Sequence, residues 1–147
     1  MDIRRASIAD LNSLGPLFDA YRQFYGQQSN LDGGLVFLRD RLELEQSIVL
    51  MAWVDDRAVG FTQLFPSFSS ARLARTLILN DLFVSGEARG AGIGHALLEA
   101  ACEFGRAAGA TRLSLSTALD NLNAQALYEK AGWKRDSRFC AYGIELT

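Results

Sequence analysis

Between Val84 and Gly94 the chain reads Val-Ser-Gly-Glu-Ala-Arg-Gly-Ala-Gly-Ile-Gly. Glycines at 90, 92 and 94 strip side chains from alternate positions, so backbone amides can approach a ligand closely. The run that follows predicts a helix over Gly92 to Ala108, with Ile93, Leu97, Ala101, Phe104 and Ala108 on one face. Its first turn offers unpaired N–H groups and the positive end of the helix dipole. With Arg89 at the mouth, these features make an anion site suited to a pyrophosphate. The Walker pattern is excluded, because no Gly-Lys-Ser/Thr is present. The dinucleotide fingerprint fails as well: the spacing is G-x-G-x-G, and no early βαβ unit with a following acid surrounds it. Taken alone, a tight turn with packing glycines is the plainer alternative.

The elements that must position this loop follow from periodicity. Ile3 to Ala6 can start a strand, and Ser7 with Asp10 reads as a loose capping box. Leu11, Leu14, Phe18, Tyr21 and Tyr25 then keep helical spacing up to a stop at Gly26, and a second helix is expected from about Leu35 to Gln46. Ile48 to Val54 and Ala58 to Phe65 read as strands joined by a turn at Asp55-Asp56, with Pro66 to Ser70 as a loop. Thr76 to Val84 is the most apolar strand and feeds the glycine loop. Asn80 and Asp81 interrupt its apolar run and break any period-two pattern, which points to a bulge. After the loop helix, closed by Gly109, come a strand from Arg112 to Ala118, a helix from Asn121 to Ala131 ended by Gly132, and a last strand within Phe139 to Leu146. The order mixes antiparallel neighbours with one βαβ unit. With no repeat or linker, residues 1–147 are expected to form a single domain.

Composition narrows the function. Fifteen basic residues against 17 acidic ones leave a net charge of -2, which argues against a nucleic-acid backbone as partner. Cys102 and Cys140 are too few for a disulfide framework and lack metal spacing, and the single histidine, His95, has no ligand cluster beside it, so no metal is expected. No apolar run approaches the roughly 20 residues of a membrane span, and Met1 to Arg5 does not look like a signal peptide, so a cytoplasmic protein without membrane contact is expected.

Two runs carry a resemblance. Arg89-Gly90-Ala91-Gly92-Ile93-Gly94-His95-Ala96-Leu97-Leu98 resembles the coenzyme A signature of the GNAT (Gcn5-related) N-acetyltransferase superfamily. Asn121 to Trp133, with Leu127-Tyr128-Glu129-Lys130, resembles its second signature. The likeness extends from about Val49 to Trp133. It implies a mixed α/β (α+β) GNAT fold, a central, mostly antiparallel sheet of about six or seven strands flanked by four helices. It implies acetyl-CoA as cosubstrate, held by Arg89, Gly90, Ala91, Gly92, Ile93, Gly94 and His95. It further implies that the strand before the loop splays from its neighbour, with pantetheine inserting along Leu82, Phe83 and Val84 and touching Asn121 and Ala124 near Tyr128.

The resemblance also implies roles in the reaction. Tyr128 stands at the position of the family's general acid, and a phenol with a pKa near 10 can donate to a departing thiolate. Leu79-Asn80-Asp81-Leu82-Phe83-Val84 is similar to the Leu-Glu-Asp run of spermidine/spermine N-acetyltransferases, with Asn80 where those enzymes carry Glu. Asp81 is the candidate to bind the amine or relay its proton, and a backbone N–H of the same strand is the candidate oxyanion donor. Tyr21 and Tyr25, with Asn80 and Asp81, are the candidate acceptor residues. The cluster from Tyr21 to Tyr25 is also similar to a group described as histone or polyamine acetyltransferases. The expected function is acetyl transfer to a primary amine, a small amine or polyamine, by direct attack in a ternary complex. The alternatives are an acetyltransferase of protein lysines or N-terminal amines, or a coenzyme A-binding module without turnover. A homodimer is compatible with the late strand Phe139 to Leu146.

Overall fold

A computed structural model describes all residues, Met1–Thr147, as two compact units, Met1–Ser116 and Thr117–Thr147. In the first, β1 (Asp2–Arg5) leads through a turn at Ile8–Asp10 into α1 (Leu11–Phe24) and α2 (Leu31–Glu43). Strands β2 (Ile48–Val54), β3 (Arg57–Ser69) and β4 (Ala74–Val84) precede α3 (Ile93–Ala107) and β5 (Ala110–Ser114). The second unit holds α4 (Leu122–Lys130) and no strand.

The five strands lie in the order β1-β2-β3-β4-β5; the first three pairings are antiparallel and β4–β5 is parallel. This corrects the expected six or seven strands. Phe139 to Leu146 has the alternation of a strand but finds no ladder partner and stays exposed. The expected loop at Pro66 to Ser70 is instead the far half of β3, paired with β4 as far as Ser69↔Ala74. Pairing with β2 ends at Leu64, so Pro66 sits where the ladder is one-sided, the setting that tolerates a proline.

Both faces of the sheet are covered, and residues 48–53 of β2 are buried throughout. On one side Leu11, Leu14, Phe18 and Leu38 of the first two helices pack against Val49, Met51, Phe61 and Phe83. On the other, α3 buries Ile93, Leu97, Leu98 and Ala101. The capping box is present: Ser7 Oγ accepts from Ala9 N at 3.3 Å, and Asp10 accepts from Ser7 N at 2.8 Å. α2 starts at Leu31 rather than Leu35, because the Asn30 side chain caps it by accepting from Gly33 N.

Asp19 fixes the connection between α1 and α2. Its carboxylate accepts from Ser29 Oγ at 2.6 Å, Asn30 N at 2.8 Å and Gln23 Nε2 at 3.1 Å. The Ser29 hydrogen bond, then the Asn30 N–H, hold its carboxyl below the usual carboxylate range; partial burial opposes this and the Arg22 charge adds to it. A lowered native pKa stabilises the fold above the unfolded value near 4, and that contribution is lost as pH falls through the native value. In thermal melts, Asp19→Ala is expected to lower the midpoint by a constant amount from pH 5 to 8, a gap that narrows below about pH 4. At Gly60 an added Cβ would lie 2.9 Å from the Phe83 carbonyl oxygen and 3.3 Å from Leu97. Gly60→Val is therefore expected to cost about 1–3 kcal/mol in denaturant unfolding, as backbone must move to admit it.

Candidate functional site

The expected bulge is present. The β3–β4 register passes from Gln63↔Asp81 to Leu64↔Leu79, leaving Asn80 as the extra residue. Residues opposite each other on an antiparallel ladder share a face, so Gln63 and Asp81 lie on the side of Phe61 and Phe83, toward α1. Asp81 is only 3% exposed. It accepts from Gln63 Nε2 and, at 2.9 Å, from Asn80 Nδ2, while its main-chain carbonyl accepts from Thr62 Oγ1 at 2.8 Å. Gln63 and Thr62 are themselves buried, and Gln63 Oε1 has no partner. Sequence reasoning passed over Gln63; the signal was a polar pair, Thr62-Gln63, inside the apolar run of β3.

Four residues singled out for the acceptor come together. The Tyr21 hydroxyl donates to the Asn80 carbonyl at 3.4 Å, and its ring lies 5.7 Å from Phe61, 6.3 Å from Phe83 and 5.1 Å from Tyr25. Asn80 in turn holds Asp81. The accessible part of the cluster is aromatic, since Tyr25 is 47% and Phe24 57% exposed.

β4 and β5 part company just before the bulge. Their ladder ends at Ile78↔Ser114, so from Leu79 to Val84 β4 has no partner strand on its β5 side. The expected splay thus falls on Leu82, Phe83 and Val84. At the end of this open edge the chain makes a turn at Gly86–Ala88, and Arg89 leaves it in extended conformation. Gly90 follows at φ +86 and Gly92 at φ +77, a left-handed region where a side chain is strained. Gly92 is the N-cap of α3, and no side chain caps the first turn of that helix, which begins Ile93-Gly94-His95. Arg89 joins loop, strand and rings: its Nε donates to the Val84 carbonyl at 3.0 Å, and its guanidinium lies 5.3 Å from the Phe24 ring centroid and 5.6 Å from that of Phe83. His95 is engaged on the helix surface, with Nδ1 3.5 Å from Glu99. No group of three or more His, Cys, Asp or Glu side chains gathers in metal-binding range.

Within the second unit, Asn121 caps α4 by accepting from Ala124 N at 3.2 Å. Gly132, at φ +93, closes the helix: its N–H donates to Glu129 O and that of Trp133 to Tyr128 O at 2.9 Å. The Tyr128 and Trp133 rings are 6.2 Å apart.

Residues 14–133 match the Acetyltransferase (GNAT) family. The chain is 44% identical over 146 residues to an uncharacterised N-acetyltransferase of Bacillus subtilis (strain 168), YhfO, covering 99% of this chain and 98% of that protein. A probable acetyltransferase of Haemophilus influenzae is 34% identical over 149 residues, with 100% and 99% covered. The crystal structure of a probable acetyltransferase, 40% identical, superimposes with a TM-score of 0.95 over 100% of this chain and 99% of that one. The chain belongs to the GNAT family and is an acetyltransferase.

The left-handed glycine at the N-cap gives a direct test. Gly92→Val places a branched side chain where it costs about 1–2 kcal/mol, and it is expected to weaken coenzyme A binding by roughly tenfold in calorimetry. An unchanged dissociation constant would dissociate the loop geometry from binding.

Proposed function

We propose that the enzyme transfers an acetyl group from acetyl-CoA to a primary amine, a small amine or polyamine, in a single ternary complex. One juxtaposition carries this function: the unpaired edge of β4 from Leu79 to Val84 runs directly into the left-handed glycine loop and the uncapped start of α3. A peptide-like arm that needs backbone partners and a pyrophosphate that needs N–H groups are met in sequence along one chain segment. In this arrangement the amides of pantetheine pair with β4 near Leu82 and Val84, and Arg89 with residues 90–95 holds the phosphates.

The acceptor amine enters over Tyr21, Phe24 and Tyr25, whose ring faces favour a cationic group. Asp81 supplies a fixed negative charge behind it, held in place by Gln63 and Asn80. The bound ammonium gives one proton to solvent by way of Asp81 and water, the neutral amine then attacks the thioester carbon, a backbone N–H at the bulge stabilises the oxyanion, and the C–S bond breaks as Tyr128 gives its proton to sulfur. The proton released by the new amide nitrogen restores the tyrosine through solvent. Residues 1–147 act as one catalytic domain in the cytoplasm.

Thiol release from acetyl-CoA with a panel of spermidine, diamines, amino acids, aminoglycosides and a lysine-rich peptide identifies the acceptor. Tyr128→Phe is expected to lower kcat by about 10²–10⁴ while coenzyme A affinity is kept within twofold. Full turnover in Tyr128→Phe would remove the general-acid role.

A further inference from the structure

We propose that Phe24 couples coenzyme binding to amine binding: Arg89 covers its ring in the free enzyme and gives it up when the guanidinium turns to the coenzyme phosphates. This rests on the function proposed above, in which Arg89 holds phosphate and β4 pairs with pantetheine. Before the coenzyme arrives, Arg89 is engaged elsewhere. Its Nε donates to the Val84 carbonyl at 3.0 Å. Ser85 N donates to the Val59 carbonyl of β3 at 2.8 Å, so the backbone of Ser85 faces β3. Peptide groups alternate along a strand, and Val84 therefore directs its carbonyl to the side where β4 has no partner strand. The Arg89 side chain thus occupies the backbone acceptor that a pantetheine amide needs.

The guanidinium meanwhile lies 5.3 Å from the Phe24 ring centroid and 5.6 Å from that of Phe83. Phe83 is buried, whereas Phe24 is exposed at the end of α1, its ring 5.2 Å from that of Tyr25. A ring that already holds one cation is poorly placed to take a second, because like charges at contact distance repel. Arg89 therefore keeps an ammonium off Phe24. Phosphate changes the balance. A charge-assisted hydrogen bond to a phosphate oxygen is roughly twice as strong as a neutral one, and an exposed cation–π contact is weak. The guanidinium accordingly leaves Val84 and Phe24 for the phosphates, which neutralise its charge. The Phe24 ring then faces the acceptor, and one cation replaces another. Coupling of this kind is reciprocal: coenzyme A raises the affinity for the amine, and the amine raises the affinity for coenzyme A by the same factor.

Calorimetric titration of the full-length chain with coenzyme A tests this. A contact that must break on binding opposes binding, so loosening the hold of Phe24 on Arg89 helps the coenzyme. Phe24→Leu keeps an apolar side chain but removes the ring, and it is expected to bind coenzyme A about two- to fivefold more tightly than wild type, the worth of one exposed cation–π contact. Phe24→Tyr keeps the ring face and is expected to match wild type. A ring that only packs the site gives the opposite sign, so weaker or unchanged binding in Phe24→Leu overturns the coupling. The Arg89 Nε–Hε resonance, identified by its loss in Arg89→Lys, follows the movement itself. It is expected to shift downfield as coenzyme A saturates the wild-type protein, and a resonance that stays in place at saturation overturns the coupling as well. If coenzyme A binds neither wild type nor variants, the functional proposal fails and the coupling with it; if it binds wild type and Phe24→Leu equally, only the coupling fails.

Discussion

A single extra residue in the β3–β4 ladder, Asn80, governs the arrangement of this molecule. An antiparallel ladder repeats every two residues, so one inserted residue reverses which face each later side chain occupies. Without it, the registers Gln63↔Asp81 and Leu64↔Leu79 would be incompatible. With it, Asp81 and Phe83 join the layer beneath α1, while Leu77 and Leu79 lie buried on the other side of the inserted residue. A bulge also increases local strand twist, and the parallel pairing to β5 stops two residues earlier, at Ile78. The same irregularity therefore accompanies a buried carboxylate on one side of β4 and an open backbone edge beside it.

A buried carboxylate is tolerated only when donors replace water. Gln63 and Asn80 do so from the two strands that the bulge brings together. Asn80 is tied on its carbonyl side to Tyr21, so the first helix, the bulge and the carboxylate form one connected unit. Arg89 extends the connection to the glycine loop through Val84 and the rings of Phe24 and Phe83. The Arg89 guanidinium lies over the exposed ring of Phe24 and the buried ring of Phe83, so this aromatic surface already faces one cation.

Much of this was legible in the sequence because it depended on local pattern. The polar pair Asn80-Asp81 within an apolar strand marked the bulge, and the spacing of Gly90, Gly92 and Gly94 marked the loop. The start of α2 at Leu31 was not legible: it depends on the Asn30 side chain capping Gly33 N, and Gly34 lies where an added Cβ would stand 3.2 Å from Phe18, so it serves close helix packing. The extent of β3 through Pro66 was hidden because its tolerance depends on where β2 ends. Gln63 escaped notice because its role is defined only by the cross-strand register. A last strand was read within Phe139 to Leu146, but alternation encodes a face to bury and not the partner that buries it.

The proposed chemistry requires an acyl carrier lying along β4 with its phosphates on the loop. The most direct measurement is calorimetric titration of the wild-type protein with coenzyme A and with pantetheine, which lacks the phosphates, at low and high salt. The expected result is that coenzyme A binds at least about tenfold more tightly, with the difference shrinking as salt screens the phosphates. Equal affinities for the two ligands, or no binding of either, would contradict it.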